Sequence, residues 1–177
     1  HNDARRQRQM CIRDRWNTIV ATIAFLIALG TFSLTVEPTA SYWDCAEYIS
    51  TSAKLQIGHP PGAPLFQMLG AFFSSFAFEV EQIAFMVNMM SVFASAFTIL
   101  FLFLTITIIG KKIILKTSTI TKPNAFIILG SSLIGSLCFT FSDSFWFNAV
   151  EAEVYAMATM IMACLLYTSD AADERHC

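Results

Sequence analysis

Charge is what this chain has least of. Only 14% of its residues are charged, against about a quarter in an average soluble domain, so a water-soluble globule is a poor fit. The 11 Lys and Arg residues form no clustered basic face that could track a phosphate backbone, which excludes a nucleic-acid partner. There is no glycine-rich phosphate loop, no Ser–His–Asp order and no internal repeat, so nucleotide-dependent chemistry finds no support. The five cysteines make no framework either. Cys11 and Cys177 sit at the ends, Cys138 and Cys164 within apolar segments and Cys45 in a polar one, with no CxxC or metal-ligand spacing among them. His59 by itself is no zinc site, because zinc takes three or four ligands. No cofactor is evident, and a divalent metal stays open without any ligand spacing to support it.

Apolar residues are what the chain has in abundance. Of 177 residues 55% are hydrophobic, 17 are Phe, and the mean hydropathy is +0.58, which places the chain among integral membrane proteins. The two ends do not share this character. Residues 1–15 carry Arg5, Arg6, Arg8, Arg13 and Arg15, and residues 168–177 are polar. The strings 8–15 and 167–174 resemble translated sequencing-adaptor sequence. The expectation is a non-native or disordered lead (1–15) and tail (168–177) flanking a fragment, with a native basic lead and polar tail as the alternative.

Thr18–Val36 is an uncharged run of 19 residues, long enough to cross the hydrocarbon core as a helix. Ile83–Gly110 is longer and is interrupted only by Asn88. Ala125–Phe141 spans 17 residues and carries Gly130, Ser131, Ser132, Gly135 and Ser136, which permit close helix packing. Val154–Tyr167 is a shorter fourth run. The 14 residues Leu65–Phe78 suit an interfacial or re-entrant helix better than a span. The expected fold is therefore an all-α polytopic membrane helix bundle over 16–167, with interfacial helices in the first outer loop.

Lys111, Lys112, Lys116 and Lys122 cluster in one inter-span loop, which the positive-inside rule puts in the cytoplasm. Glu37–Gln82 and Ser142–Glu153 then lie on the outer side. In the first of these loops, Glu37-Pro38-Thr39 breaks the preceding helix. Ser41 is a candidate cap for a helix running from near Tyr42 to Gly58. Asp44 and Glu47, three apart, would share one face of it. His59-Pro60-Pro61-Gly62-Ala63-Pro64 is a stiff turn that fixes the angle of the next helix. Plainer readings stand beside these. Asp44 and Glu47 form an ordinary solvated face, Trp43, Phe145, Trp146 and Tyr155 an aromatic belt at the headgroups, and Glu79 and Glu81 solvated turn residues. Glu151 and Glu153 point to opposite sides if the segment is helical, so one at most faces a given pocket. Glu153 is favoured, at the head of the last helix where the macrodipole steadies an anion.

Two stretches carry a resemblance. Val36-Glu37-Pro38-Thr39 through Tyr42-Trp43-Asp44-Cys45-Ala46-Glu47, continuing into 54–66, is the first. The second comprises Ser142-Asp143-Ser144-Phe145-Trp146-Phe147 and Val150-Glu151-Ala152-Glu153-Val154-Tyr155-Ala156. Together they resemble the bacterial and animal protein O-mannosyltransferase-like family, which is similar to the GT-C superfamily of polytopic glycosyltransferases. Ala46 and Tyr48 depart from the Gly and Phe expected there. The resemblance implies an inverting membrane transferase that moves a sugar, mannose in the closest reading, from a polyprenyl-phosphate carrier to a Ser or Thr hydroxyl of a protein acceptor. The chemistry would take place on the periplasmic side of a bacterial inner membrane. It implies catalytic roles for Asp44, as the base, and for Glu47, with His59, Lys54, Trp43, Glu151 and Glu153 binding substrate. Two other classes remain: a non-catalytic membrane subunit or scaffold, and a transporter, which would need polar groups within its spans. Clustering of Asp44, Glu47, His59 and Glu151 or Glu153 around one cavity would separate the enzyme from the scaffold.

Overall fold

A computed structural model of the chain describes residues 2–41, 43–117 and 121–174, with side chains described for 15–41, 43–115 and 121–169. Among the described residues seven α-helices follow one another: α1 (Asn2–Thr35), α2 (Cys45–Ala53), α3 (Pro64–Ser74), α4 (Ile83–Thr117), α5 (Lys122–Thr140), α6 (Asp143–Ala149) and α7 (Val154–Glu174), with a short 3-10 turn at Val80–Gln82 before α4. Three segments among the described residues are long and apolar enough to cross a membrane: Arg15–Thr35, Val80–Leu115 and Lys122–Thr140. The pair α6 and α7, bent by 110°, makes a fourth if taken as one broken span. Of the lead (1–15) and tail (168–177) expected to be non-native or disordered, 2–15 and 168–174 continue α1 and α7 as helix, and their side chains other than those of Arg15, Thr168 and Ser169 lie outside the described residues.

Helix α4 is the central post, and every other helix packs against it. Its seam with α1 is built from small residues. Ala21, Ala24 and Ala28 lie on one face of α1 at helical spacing, above Phe32, and meet Val92, Ala96, Ile99 and Phe103 of α4. Lipid tails are as apolar as the helices, so association depends on close packing, which alanine permits. The opposite faces of α1 and α5 leave Leu26, Leu34, Phe126, Ile127 and Ile134 exposed, as a lipid-facing surface requires. Between α4 and α5, Thr107 Oγ1 bonds Ser132 Oγ at 3.1 Å, and Gly135 packs on Ile106. Helix α3 has 11 residues, a length of about 16 Å, roughly half of a hydrocarbon core. It is too short to span.

Three local expectations are corrected. The first-loop helix is shorter than Tyr42–Gly58. Gln56 N–H reaches Thr51 O at 2.8 Å and Leu55 N–H reaches Ser52 O at 3.2 Å, with Leu55 left-handed at φ 49°. That is a Schellman ending, and it stops α2 before Gly58 with Leu55 where glycine is usual. Ser41 does not cap α2; its hydroxyl donates to Glu151 across the site. Phe145 and Trp146 are not a headgroup belt. Phe145 is buried in the α1–α4 core, and both rings meet Phe32 edge-on at 5.9 Å. These contacts pin α6 to the end of α1.

A second core holds the loop side chains in place. Cys45 and Ile49 of α2, Phe66 of α3, Val87 and Met90 of α4, Ala152 of the α6–α7 elbow and Met157 of α7 bury one another. Gly70 lets α3 lie against α2, since a Cβ there would fall 2.6 Å from Ser52 Oγ. The two segments singled out in the sequence thus share one apolar base.

Candidate active site

Asp44 occupies the N-cap position of α2 yet makes no side-chain capping bond. An N-cap aspartate ordinarily accepts from the N–H of the second or third helical residue. Here the carboxylate lies 4.0 Å from His59 Nε2 instead. The preceding Trp43 is left-handed at φ 59°, an uncommon state for a bulky residue, and its ring is exposed.

Glu47, in the first turn of α2, grips His59 twice. Its Oε1 accepts the His59 backbone N–H at 2.6 Å, and Oε2 pairs with Nδ1 at 2.9 Å. The backbone N–H, then the ring, hold the Glu47 carboxyl below its ordinary range. The same bond and charge, with Asp44 behind them, raise His59. The grip is possible because residue 58 is glycine: a Cβ there would stand 3.0 Å from Glu47 Oε1 and 3.2 Å from Gln67 Nε2. A turn closed by Gly62 N–H to His59 O at 2.8 Å presents the ring, and Tyr48 flanks it with ring centres 6.3 Å apart.

From the other side comes the elbow between α6 and α7. The chain is not helical over 150–153, and that reverses the expectation that only one of its acids faces the pocket. Glu151 and Glu153 both line the cavity, and both are buried, 4% and 8% exposed. Burial raises Glu151, and Glu37 adds to it, while the Ser41 hydroxyl works against it. Glu153 is pushed up to about 7, by burial first and then by Glu151 and Asp44, with the Val154 N–H opposing. The position at the head of α7 therefore does not hold Glu153 in the ordinary carboxylate range; desolvation outweighs the helix terminus.

The cavity is about 250 Å³ and is lined by Trp43, Asp44, Phe147, Asn148, Glu151, Glu153 and Tyr155. Three carboxyls and an amide meet three aromatic rings in it. Carboxyl oxygens accept from hydroxyls, an amide both accepts and donates, and flat rings offer a stacking surface, a combination suited to a polyhydroxylated ligand. Glu47 and His59 stand behind Asp44 rather than in the lining. Lys54 is exposed at the far end of α2, in no ion pair among the described residues. Phe147 stands in the second of the two sequence stretches with no role assigned to it there, and Asn148 lies between the quoted segments, with nothing in the sequence to mark it as lining a cavity.

Asp44, Glu47 and His59 also bring three ligand atoms within 4.8 Å of one another, a grouping that their spacing in the chain conceals. An O, O, N donor set of this kind can hold a divalent cation. Glu47, however, already has both oxygens engaged by His59.

Residues 44–176 match the family model described as Protein O-mannosyl-transferase TMEM260 N-terminal domain. A curated relative, Protein O-mannosyl-transferase tmem260 of Dictyostelium discoideum, is 26% identical over 164 residues, covering 91% of this chain. The chain spans 18% of that relative's length. No solved structure matches.

Proposed function

We propose, from the premise that this chain belongs to the protein O-mannosyl-transferase TMEM260 N-terminal domain family, that it forms the acceptor-activating part of a membrane transferase. The enzyme moves a mannosyl group from a polyprenyl-phosphate carrier to a Ser or Thr hydroxyl of a protein. Asp44 takes the hydroxyl proton as the oxygen attacks the anomeric carbon from the face opposite the carrier phosphate, which leaves with the bonding pair and inverts the centre. Glu47 holds His59 beside Asp44 and so keeps a positive charge near the base and the departing phosphate. Glu151 and Glu153 bind hydroxyls of the sugar or the acceptor, and Trp43 covers them. Lys54, farther off on the same surface, meets the anionic carrier.

The observation that carries this reading is the convergence of Asp44 with Glu151 and Glu153 on one cavity. A scaffold subunit has no need to bury two acids beside an uncapped aspartate. The lysines favour the same membrane placement. Lys111 stands 23 residues beyond Asn88 on α4, about 34 Å along the helix, so basic and acidic ends are one bilayer core apart. With the lysines in the cytoplasm the cavity opens outside, in the periplasm if the membrane is a bacterial inner one.

The test is transfer of labelled mannose from polyprenyl-phosphate mannose to a Ser/Thr peptide by the purified full-length protein. Transfer is expected, and its absence with donor and acceptor both present would remove the reading. Because Glu47 and His59 satisfy each other, no metal is assigned to the mechanism. Chelator in the same assay should leave the rate unchanged. A loss restored by Mn²⁺ would show that the Asp44–Glu47–His59 group works as a cation site.

A further inference from the structure

We propose that Asn88 is a positioning residue, a single buried amide that holds the first-loop aspartate in register with the acidic elbow; this rests on the transferase reading of the cavity. Asn88 lies in the apolar run of α4 with 0% of its surface exposed. Its Nδ2 donates to the carbonyl of Glu37 at 2.7 Å and to that of Thr39 at 3.0 Å. Its Oδ1 accepts from the Cys45 thiol at 3.8 Å. Two carbonyls can be met only by the NH₂ group, so the partners themselves fix which way the amide points.

The three partners are not arbitrary places. Cys45 follows Asp44 directly. Glu37, whose carbonyl Asn88 holds, donates its own N–H to Val150 O at 3.0 Å, the residue before Glu151. One side chain therefore ties the exit of α1, the head of α2 and the α6–α7 elbow, the last through Glu37. A polar group buried in an apolar span is costly unless its capacity is used, and here both donors and the acceptor are engaged. The hydroxyl of Thr98 on the same helix bonds back to Ala94 O at 3.0 Å, the usual local solution. Asn88 instead directs its bonds to segments that bear the acids.

The experiment compares Asn88→Ala and Asn88→Asp with wild type in the full-length protein, reading kinetics and amide hydrogen exchange. In Asn88→Ala, kcat should fall about 10²-fold, the scale of a displacement of about 1 Å at a reacting group, with KM for donor and acceptor changed less than about twofold. Exchange should quicken at 36–45 and 150–153 and stay unchanged in α5. Asn88→Asp keeps the volume but turns an oxygen toward two carbonyls, so the same loss there excludes a void as the cause. Wild-type kcat, a rise in KM alone, or loss of protection throughout the chain would overturn the proposal. Should neither variant fold, Cys45→Ala removes the weakest of the three bonds together with one sulfur of the second core. It should lower kcat several-fold and quicken exchange at 43–46, and unchanged exchange there would count against the clamp. If wild type transfers no sugar, the functional reading fails, while the exchange data still decide whether Asn88 ties the two segments.

Discussion

Asp44→Asn in the full-length protein is expected to lower sugar transfer by about 10²–10⁴-fold, the usual contribution of a general base, with membrane level and thermal stability unchanged. The amide keeps the shape of the carboxylate but cannot take a hydroxyl proton. Stability should hold because Asp44 makes no capping bond that the substitution would weaken, and asparagine is an equally good N-cap residue. The neighbouring charge leaves a second signature. His59 is raised in part by Asp44, so its midpoint should move down in the variant, and an NMR titration of the ring would detect this. Near wild-type turnover in Asp44→Asn would take the aspartate out of the mechanism. Transfer and the His59 midpoint can fail separately, which keeps the catalytic and electrostatic statements distinct.

Stability of the protein in detergent or nanodiscs is expected to fall as pH rises from about 4.5 to about 7, and Glu153→Gln should remove most of that fall. Glu153 titrates at about 7 in the folded chain against an ordinary 4.5. Within that window the folded state holds a proton that the unfolded state releases, so stability is fully present below the ordinary value and lost as pH passes the folded one. The loss is about 3 kcal/mol as an order of magnitude, from 1.36 kcal/mol per pKa unit. Its source is a carboxyl buried beside Glu151 and Asp44, with Tyr48 raised by its own burial first and by Glu153 next. Glutamine is a neutral isostere of the protonated form. The variant should match wild type near pH 4.5 and exceed it near pH 7.5, with Glu151, also raised, leaving a smaller slope of the same sign. A melting temperature independent of pH over this range in wild type would contradict the buried state of Glu153.

The spanning helices were legible because a bilayer demands long apolar runs, and α1, α4 and α5 supply them whatever their neighbours do. The lengths of the shorter elements were not. Helix α2 ends at a left-handed Leu55, and leucine carries no sequence signal for that conformation, whereas Gly58 advertised an ending that came too late. The elbow acids were read through helical periodicity, which does not apply where the chain turns through 110°. Asp44, Glu47 and His59 stood out as charges beside a span. Their mutual distances depended on the 59–62 turn and on the space left by Gly58, which no spacing rule encodes. Asn88 gave a signal in plain view, a lone amide in an apolar run, but its partners are backbone carbonyls 49 and 51 positions away.

The central claim is that the first-loop aspartate and the elbow acids form one site for sugar transfer. A structure of the full-length protein with an acceptor peptide and a non-transferable polyprenyl-phosphate sugar analogue addresses it most directly. The account predicts the acceptor hydroxyl within about 2.6–3.2 Å of an Asp44 oxygen, with the sugar in the cavity against Glu151 or Glu153. An acceptor hydroxyl and anomeric carbon bound at another group, with Asp44 facing only solvent, would contradict it.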